Sequence, residues 1–429
     1  GCGMKGAGTS PCMESTGNGS TGGVTAVPVN LSDPTLSEWR RRGPTVFHGC
    51  DGSGGPSPIL RNPATGALQL VAIHGSGEAL FEAVDPSRRG SGGGLAGGLT
   101  EWAMVKPDFL PARGGGGGLW HPLPPLVDQA QNGTQRLPTH IMQLDNGGDD
   151  DGGPAFATFT VDPASNAVTS ISATRVLDIG TAVRYGTLSV HGGTAQGGNP
   201  GDPRTLHVLW LNTKDAPCTP RNIDVGQLSA FREMQYDARL GILVENPIAE
   251  YTALRQALLN RTGAPVHVTA TATAVADLGH GPGPSVADVE LNFSFGTSGA
   301  DAGTTSTVTV GVACCAGSGD CGAIVAFTIG AALRGGASGG RNATLVTMSV
   351  PTGAHGNATF PLLDGEGSLP VRVMTDTHSV EVFAGWGRAA YSGVLLHPPC
   401  AVPPLGVTAS ASAPGVTVTA AAWQMGTIF

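Results

Sequence analysis

The sequence predicts an all-β protein in two successive units. Three observations carry that expectation. From Val24 onward the chain is a series of short apolar runs broken by Gly, Pro, Asp and Asn, the pattern of strands separated by turns. Apolar spacing of helical period is almost absent. The one stretch that shows it, Glu245–Leu259, divides the chain, and strand-like alternation resumes beyond it.

Gly1–Gly23 is rich in Gly, Ser and Thr without a period and reads as a flexible arm. Strands are expected at Leu68–Ile73, Ala79–Val84, His140–Leu144, Phe156–Val161, Leu206–Leu211 and Leu240–Val244. Radial repetition in a propeller would protect the edges of so many short strands. Within Glu245–Leu259, Ile248, Tyr251, Leu254 and Leu258 fall at helical spacing, and Gly263-Ala264-Pro265 stops the run, so a short linker helix is expected over 245–262. Val266–Thr273, Val286–Phe295, Thr307–Val312, Ala323–Ile329, Ala343–Val350 and Val416–Trp423 then read as strands of a two-sheet sandwich over 263–429. The clearest element is Leu369–Pro399. Val371, Val373 and Thr375 alternate with Arg372 and Met374, Ser379–Phe383 repeats the alternation, Gly385-Trp386-Gly387 turns, and Ala389–His397 runs back.

Composition excludes several classes. The chain has 429 residues and a net charge of −9 without a basic stripe, which argues against nucleic acid. No apolar run reaches the ~18 residues that span a bilayer; Gly322–Leu333 comes nearest. The 67 glycines include runs such as Gly92–Gly94 and Gly114–Gly118 that read as loop insertions, and no phosphate-binding Gly-x-x-x-x-Gly-Lys-Ser/Thr motif occurs. Eight cysteines favour an oxidising compartment, reached by secretory or vacuolar routing, with disulfides; of the seven Asn-x-Ser/Thr sequons (Asn18, Asn30, Asn132, Asn260, Asn292, Asn342, Asn357), chance supplies several in so Ser/Thr-rich a chain. Cys314, Cys315 and Cys321 bracket a Gly-rich turn where one bridge could close a hairpin, but pairing cannot be deduced. No metal or cofactor motif is found. The chain lacks an initiator Met and a signal segment, and reads as a fragment or a processed product.

Other catalytic templates are weak. Gly336-Ala337-Ser338-Gly339-Gly340 matches Gly-x-Ser-x-Gly, but a strand follows where a nucleophile elbow needs a helix. Asp149-Asp150-Asp151 is a short acidic run without calcium-loop spacing.

Several segments, in order, resemble one known family. These are Asn30-Leu-Ser-Asp-Pro-Thr-Leu-Ser-Glu-Trp39, Arg61-Asn62-Pro63-Ala64-Thr65, Gly118-Leu119-Trp120-His121-Pro122, Leu177-Asp178-Ile179-Gly180, Leu206–Trp210, Ser229-Ala230-Phe231-Arg232-Glu233, Leu243–Arg255, the Ser379–Arg388 hairpin and Trp423-Gln424-Met425. Together they resemble glycoside hydrolase family 32, the invertases and fructan hydrolases, over residues 24–429. The resemblance implies an incomplete five-bladed β-propeller over 24–244, its first blade outside this chain, followed by a β-sandwich. It implies a sucrose- or fructan-type carbohydrate as partner.

The resemblance also assigns positions. Retaining hydrolysis uses two carboxyl groups ~5–5.5 Å apart. The family nucleophile lies in Asn-Asp-Pro-Asn-Gly, which does not occur here; Asp33-Pro34 better matches a later segment. The transition-state stabiliser position is Asn62, an uncharged amide, beside Arg61. The acid/base position is His121, beside Trp120, where the family has Glu. No Glu occurs between Glu101 and Glu233, and Asp128 is the nearest acid. The expected outcome is an invertase-like chain of little or no activity; the alternative is a non-catalytic carbohydrate-binding or regulatory relative.

Overall fold

A computed structural model describes residues 20–28, 39–48, 60–62, 64–74, 77–84, 101–110, 119–122, 138–144, 155–180, 183–184, 190–191, 205–211, 227–271, 273–278, 286–295, 306–313, 322–333, 343–350, 357–363, 365–376, 379–394 and 406–426. The described chain is mostly strand with almost no helix, and its strands form six open sheets. The all-β expectation holds.

Four sheets come from the first half. The first has the order Ser20–Pro28, Trp39–His48, Glu101–Leu110, Gly77–Ala83, Leu68–His74, Leu60–Arg61. Trp39–His48 and Glu101–Leu110 run parallel, and the other neighbours are antiparallel. The second has the order Ala167–Ile171, Ala155–Asp162, His140–Leu144, Leu119–Pro122, with Arg175–Val176 also on Ala155–Asp162. Small sheets of three and four strands follow, ending with the Arg232–Asp237 and Ile242–Pro247 hairpin.

The second half forms a seven-stranded and a six-stranded sheet. The first is Arg255–Arg261, Val416–Met425, Ala287–Phe295, Ser368–Thr375, Ser379–Ala384, Ala389–Val394, with Val266–His267 added. The second is Thr273–Asp277, Gly406–Ala411, Ser306–Ala313, Gly322–Leu333, Ala343–Ser349, Ala358–Leu363. One apolar cluster draws on both, with Val289, Phe293, Val373 and Val418 from one sheet and Val308, Phe327, Val346 and Phe360 from the other, all fully buried. Each such side chain contributes about 1.5–3 kcal/mol by leaving water.

The alternation expected near Val371 is seen directly. Along Ser368–Thr375 every second residue is buried. Ser379–Ala384 departs from it, because all six residues are buried. Its second face is covered by the first half of the chain, as described below.

Four further expectations need correction. The helix over Glu245–Leu259 does not form. Residues to Pro247 finish a strand, Ala249–Leu254 is a 3-10 helix without a buried residue, and Arg255–Arg261 is an edge strand. The helical spacing was coincidental: Leu258 stands exposed. The strand expected at Leu206–Leu211 is broken at Val208-Leu209, so that Thr205–His207 and Trp210–Leu211 join different sheets. Val266–Thr273 likewise divides between the two large sheets. Finally, Ser20–Gly23, assigned to the flexible arm, is paired with Thr45–His48. Of the cysteines, Asp33, Asp128, Asp149–Asp151 and Gly336–Gly340, all lie outside the described residues.

Candidate functional site

Asn62 follows the two-residue strand Leu60–Arg61 and is buried. Its Oδ1 accepts the backbone N–H groups of Ala64 (2.8 Å) and Thr65 (3.2 Å). Its Nδ2 donates to the Pro163 carbonyl (3.0 Å) and to Asn166 Oδ1 (3.1 Å). A side-chain amide offers two acceptor sites and two donor hydrogens, and here all four are filled. Gly66, at φ 72°, completes the turn by donating its N–H to the Asn62 carbonyl. The sequence signal for this was the Asn-Pro-Ala-Thr-Gly string itself, ordinary turn chemistry.

The partner turn is a second version of the same device. Asp162 Oδ1 accepts from Ala164 N (2.8 Å) and Ser165 N (3.1 Å), and Asn166 takes the left-handed place at φ 52°. Gln69 Nε2 and Lys106 Nζ also donate to Asn166, at 3.1 and 2.9 Å. The first and second sheets are thereby tied together at their turns. Asp237 organises a related turn, its Oδ1 accepting from Arg239 N (3.0 Å) before Gly241 at φ 68°.

Arg61 pairs through its backbone with Leu68. Trp120 and His121 lie in the edge strand Leu119–Pro122, opposite Met142 and Ile141. Near the end of that pairing, His140 stacks on Phe159 with ring centroids 5.2 Å apart. Burial lowers the His140 pKa to about 4, so the ring is neutral in the physiological range.

Sequence reasoning singled out the segments around Asp178, Arg232, Glu245 and Glu381 but not their meeting. Arg232 is fully buried, as are Glu245 and, nearly so, Asp178 and Glu381. Its Nη1 donates to Asp178 Oδ2 and Glu245 Oε1, each 2.7 Å away. Its Nη2 donates to Glu381 Oε2 at 2.6 Å and to the Ser392 hydroxyl. Asp178 is held further by Gly180 N, Ser392 N and Ser392 Oγ, at 2.8, 2.9 and 2.7 Å. Glu381 Oε1 accepts from Ala230 N at 2.5 Å. His207 Nδ1 stands 3.4 Å from Glu245 Oε2. Thus one guanidinium faces three carboxyl groups, two from the first half of the chain and one from the second.

The electrostatics follow from burial and proximity. Burial alone would lower the Arg232 guanidinium, but Glu245, Asp178 and Glu381 beside it raise it overall. Burial works to raise Glu245, yet Arg232 and His207 hold it below the usual carboxylate range. Burial pushes Glu381 up, and its bonds from Arg232 and Ala230 do not cancel that effect. The cluster has no solvent face. It is a seam between the two halves, sealed where Asp178 bridges in parallel to Ala390. A Cβ on Gly180 would fall 1.9 Å from the Ser392 carbonyl oxygen.

Carboxylates elsewhere among the described residues are similarly gathered by arginines. Asp288 lies between Arg255 and Arg372, and Glu366 grips Arg388. No group of three or more His, Cys, Asp or Glu among the described residues is placed to hold a metal ion.

No protein-family model matches the sequence, and no curated relative matches it. Solved structures do match in shape. Fructan 1-exohydrolase IIa from Cichorium intybus superposes with a TM-score of 0.62 at 17% identity, covering 94% of this chain and 78% of that one. Fructofuranosidase from Schwanniomyces occidentalis, solved with fructose, gives 0.52 at 12% identity over 86% of this chain and 70% of that one. Exo-inulinase from Aspergillus awamori gives 0.50 at 15% identity over 86% and 67%. At these identities the likeness concerns the fold, and the fold of this chain is glycoside hydrolase family 32-like.

Proposed function

We propose that this chain is a fructoside-binding protein on a glycoside hydrolase family 32-like frame, with little or no hydrolysis of its own. In this reading the four N-terminal sheets are blades of an incomplete propeller and the two large sheets are a sandwich. The repeated turns at Asn62, Asp162 and Asp237 support the first assignment, and the core shared by the two large sheets supports the second.

One observation carries the loss of activity. The position that resembles the family's stabilising carboxylate is an amide whose hydrogen-bonding capacity is spent inside the protein. A group in that state has neither charge nor a spare donor for a transition state. Arg61 and Trp120 are kept as the positions assigned to sugar contact, and His121 as the acid/base position. The neighbours' ligands, fructose and 1-kestose, support the carbohydrate class.

Calorimetric titration of the 429-residue chain with fructose and sucrose tests the binding. Saturable heat at millimolar sugar is expected, and its absence for both sugars removes the proposal. Secretory routing is part of the same reading. Asn357 is an exposed sequon residue, and a mass loss on enzymatic deglycosylation of the natural protein is the expected result.

A further inference from the structure

Trp386 occupies a place that backbone chemistry reserves for glycine. It sits at φ 57° in the loop joining Ser379–Ala384 to Ala389–Val394, between Gly385 at 59° and Gly387 at 81°. A bulky side chain in the left-handed region is disfavoured and persists only where its surroundings over-determine it. They do so here. Asn246 Nδ2 donates to the Trp386 carbonyl at 3.0 Å, and Glu245 N donates to the Gly387 carbonyl at 2.8 Å. Gly385 and Gly387 admit no Cβ, which would meet Phe360 at 2.5 Å and the Glu245 carbonyl oxygen at 2.4 Å.

The indole gains little core burial in return, since it is 45% exposed. It is instead backed by Arg388, whose guanidinium lies 4.9 Å from the ring centroid. Arg388 is itself fixed by two 2.6 Å bonds to Glu366 and by the Pro361 carbonyl at 2.9 Å. The result is a rigid aromatic plate at the edge of a cleft of about 450 Å³, within the ~300–1,000 Å³ of small-ligand sites. Asn246, Arg261, Thr262, Glu290, Asn292, Arg372 and Thr419 supply the polar lining, with Arg372 already paired to Asp288.

We propose that this cleft is a second saccharide site, in which Trp386 stacks on the C–H face of a sugar ring and the lining binds its hydroxyls. The lining mixes amides, two hydroxyls and charges of both signs, which suits a neutral polyhydroxyl ligand better than an anion or a cation. The choice of a fructan-type saccharide rests on the function proposed above; the stacking role does not.

The test is calorimetric titration with 1-kestose and, separately, maltotriose. It uses protein produced without glycosylation, because the Asn292 sequon opens on the same cleft. Trp386→Gly accepts φ 57° without strain, so the unfolding midpoint is held, while one of the two 1-kestose binding steps of the wild type weakens at least tenfold and the other is unchanged. Trp386→Phe restores part of the lost affinity. Equal binding by wild type and Trp386→Gly overturns the second site and leaves the fructoside reading standing. Binding of maltotriose alone, lost in Trp386→Gly, upholds the site and removes the fructoside assignment. Failure of the wild type to bind either saccharide overturns the site.

Discussion

Asn62 and Asp162 hold the same place in two copies of one turn, and the side-chain amide of the first hydrogen-bonds the second copy. Each accepts two backbone N–H groups through Oδ1. Only Asn62 also donates, and its two donor bonds join one sheet to the next. The residue whose position resembles a catalytic carboxylate is here a rivet between turns.

Replacing Asn62 by Asp therefore removes both donors and sets a carboxylate against the Pro163 carbonyl and Asn166 Oδ1. Asn166 cannot relieve this by turning its amide, because its Oδ1 also accepts from Gln69. Unpaired buried polar groups cost about 1–3 kcal/mol each. Asn62→Asp is expected to lose about 2 kcal/mol or more in denaturant unfolding and to acquire no hydrolytic activity. A stable Asn62→Asp chain that cleaves sucrose would show the site was a catalytic one awaiting its charge.

Arg232 gathers three carboxyl groups, and its removal leaves them buried together. Breaking a buried ion cluster from one side costs about 3–5 kcal/mol. Arg232→Met is expected to lower stability by that order, with protease sensitivity appearing first at the seam between the halves. A loss below ~1 kcal/mol would mean that the carboxyl groups are already neutral or hydrated.

Gly180→Ala probes the same seam from the backbone. The new Cβ would overlap the Ser392 carbonyl oxygen, so the parallel bridge from Asp178 to Ala390 must open. Faster hydrogen exchange at the amides of Ile179 and Ala390, which bond across this bridge, is the expected reading. Unchanged protection would show the seam to be loose already.

How much of this was legible in the sequence differs by element. The hairpin around Val371–Phe383 was readable because alternation is a local property. The turn at Asn62 was readable for the same reason. The seam was not, because Arg232 meets partners 54, 13, 149 and 160 positions away. A signal did exist. Glu381 interrupts an otherwise apolar run in Ser379–Ala384, and a charge in a strand buried on both faces requires a partner. The false helix at Glu245–Leu259 arose because two strands and a 3-10 turn carried apolar residues at helical spacing by coincidence.

The seam also fixes a pH dependence. Glu381 is raised by burial, so its contribution is full below the unfolded carboxylate value of ~4.3 and is lost as pH rises through its folded value. Glu245 is lowered overall, so its contribution is present above ~4.3 and is lost as pH falls through its folded value. Glu381→Gln cannot ionise. Its stability relative to wild type is expected to improve steadily as pH rises above ~4.3 in parallel unfolding titrations. A flat difference would place the Glu381 pKa at its unfolded value.

The most direct test of the account is fructose release from 1-kestose and sucrose by the 429-residue chain, followed chromatographically beside a binding titration of the same sample. Saccharide binding with no release above the buffer blank is the predicted result. Catalytic turnover that scales with protein concentration would contradict it.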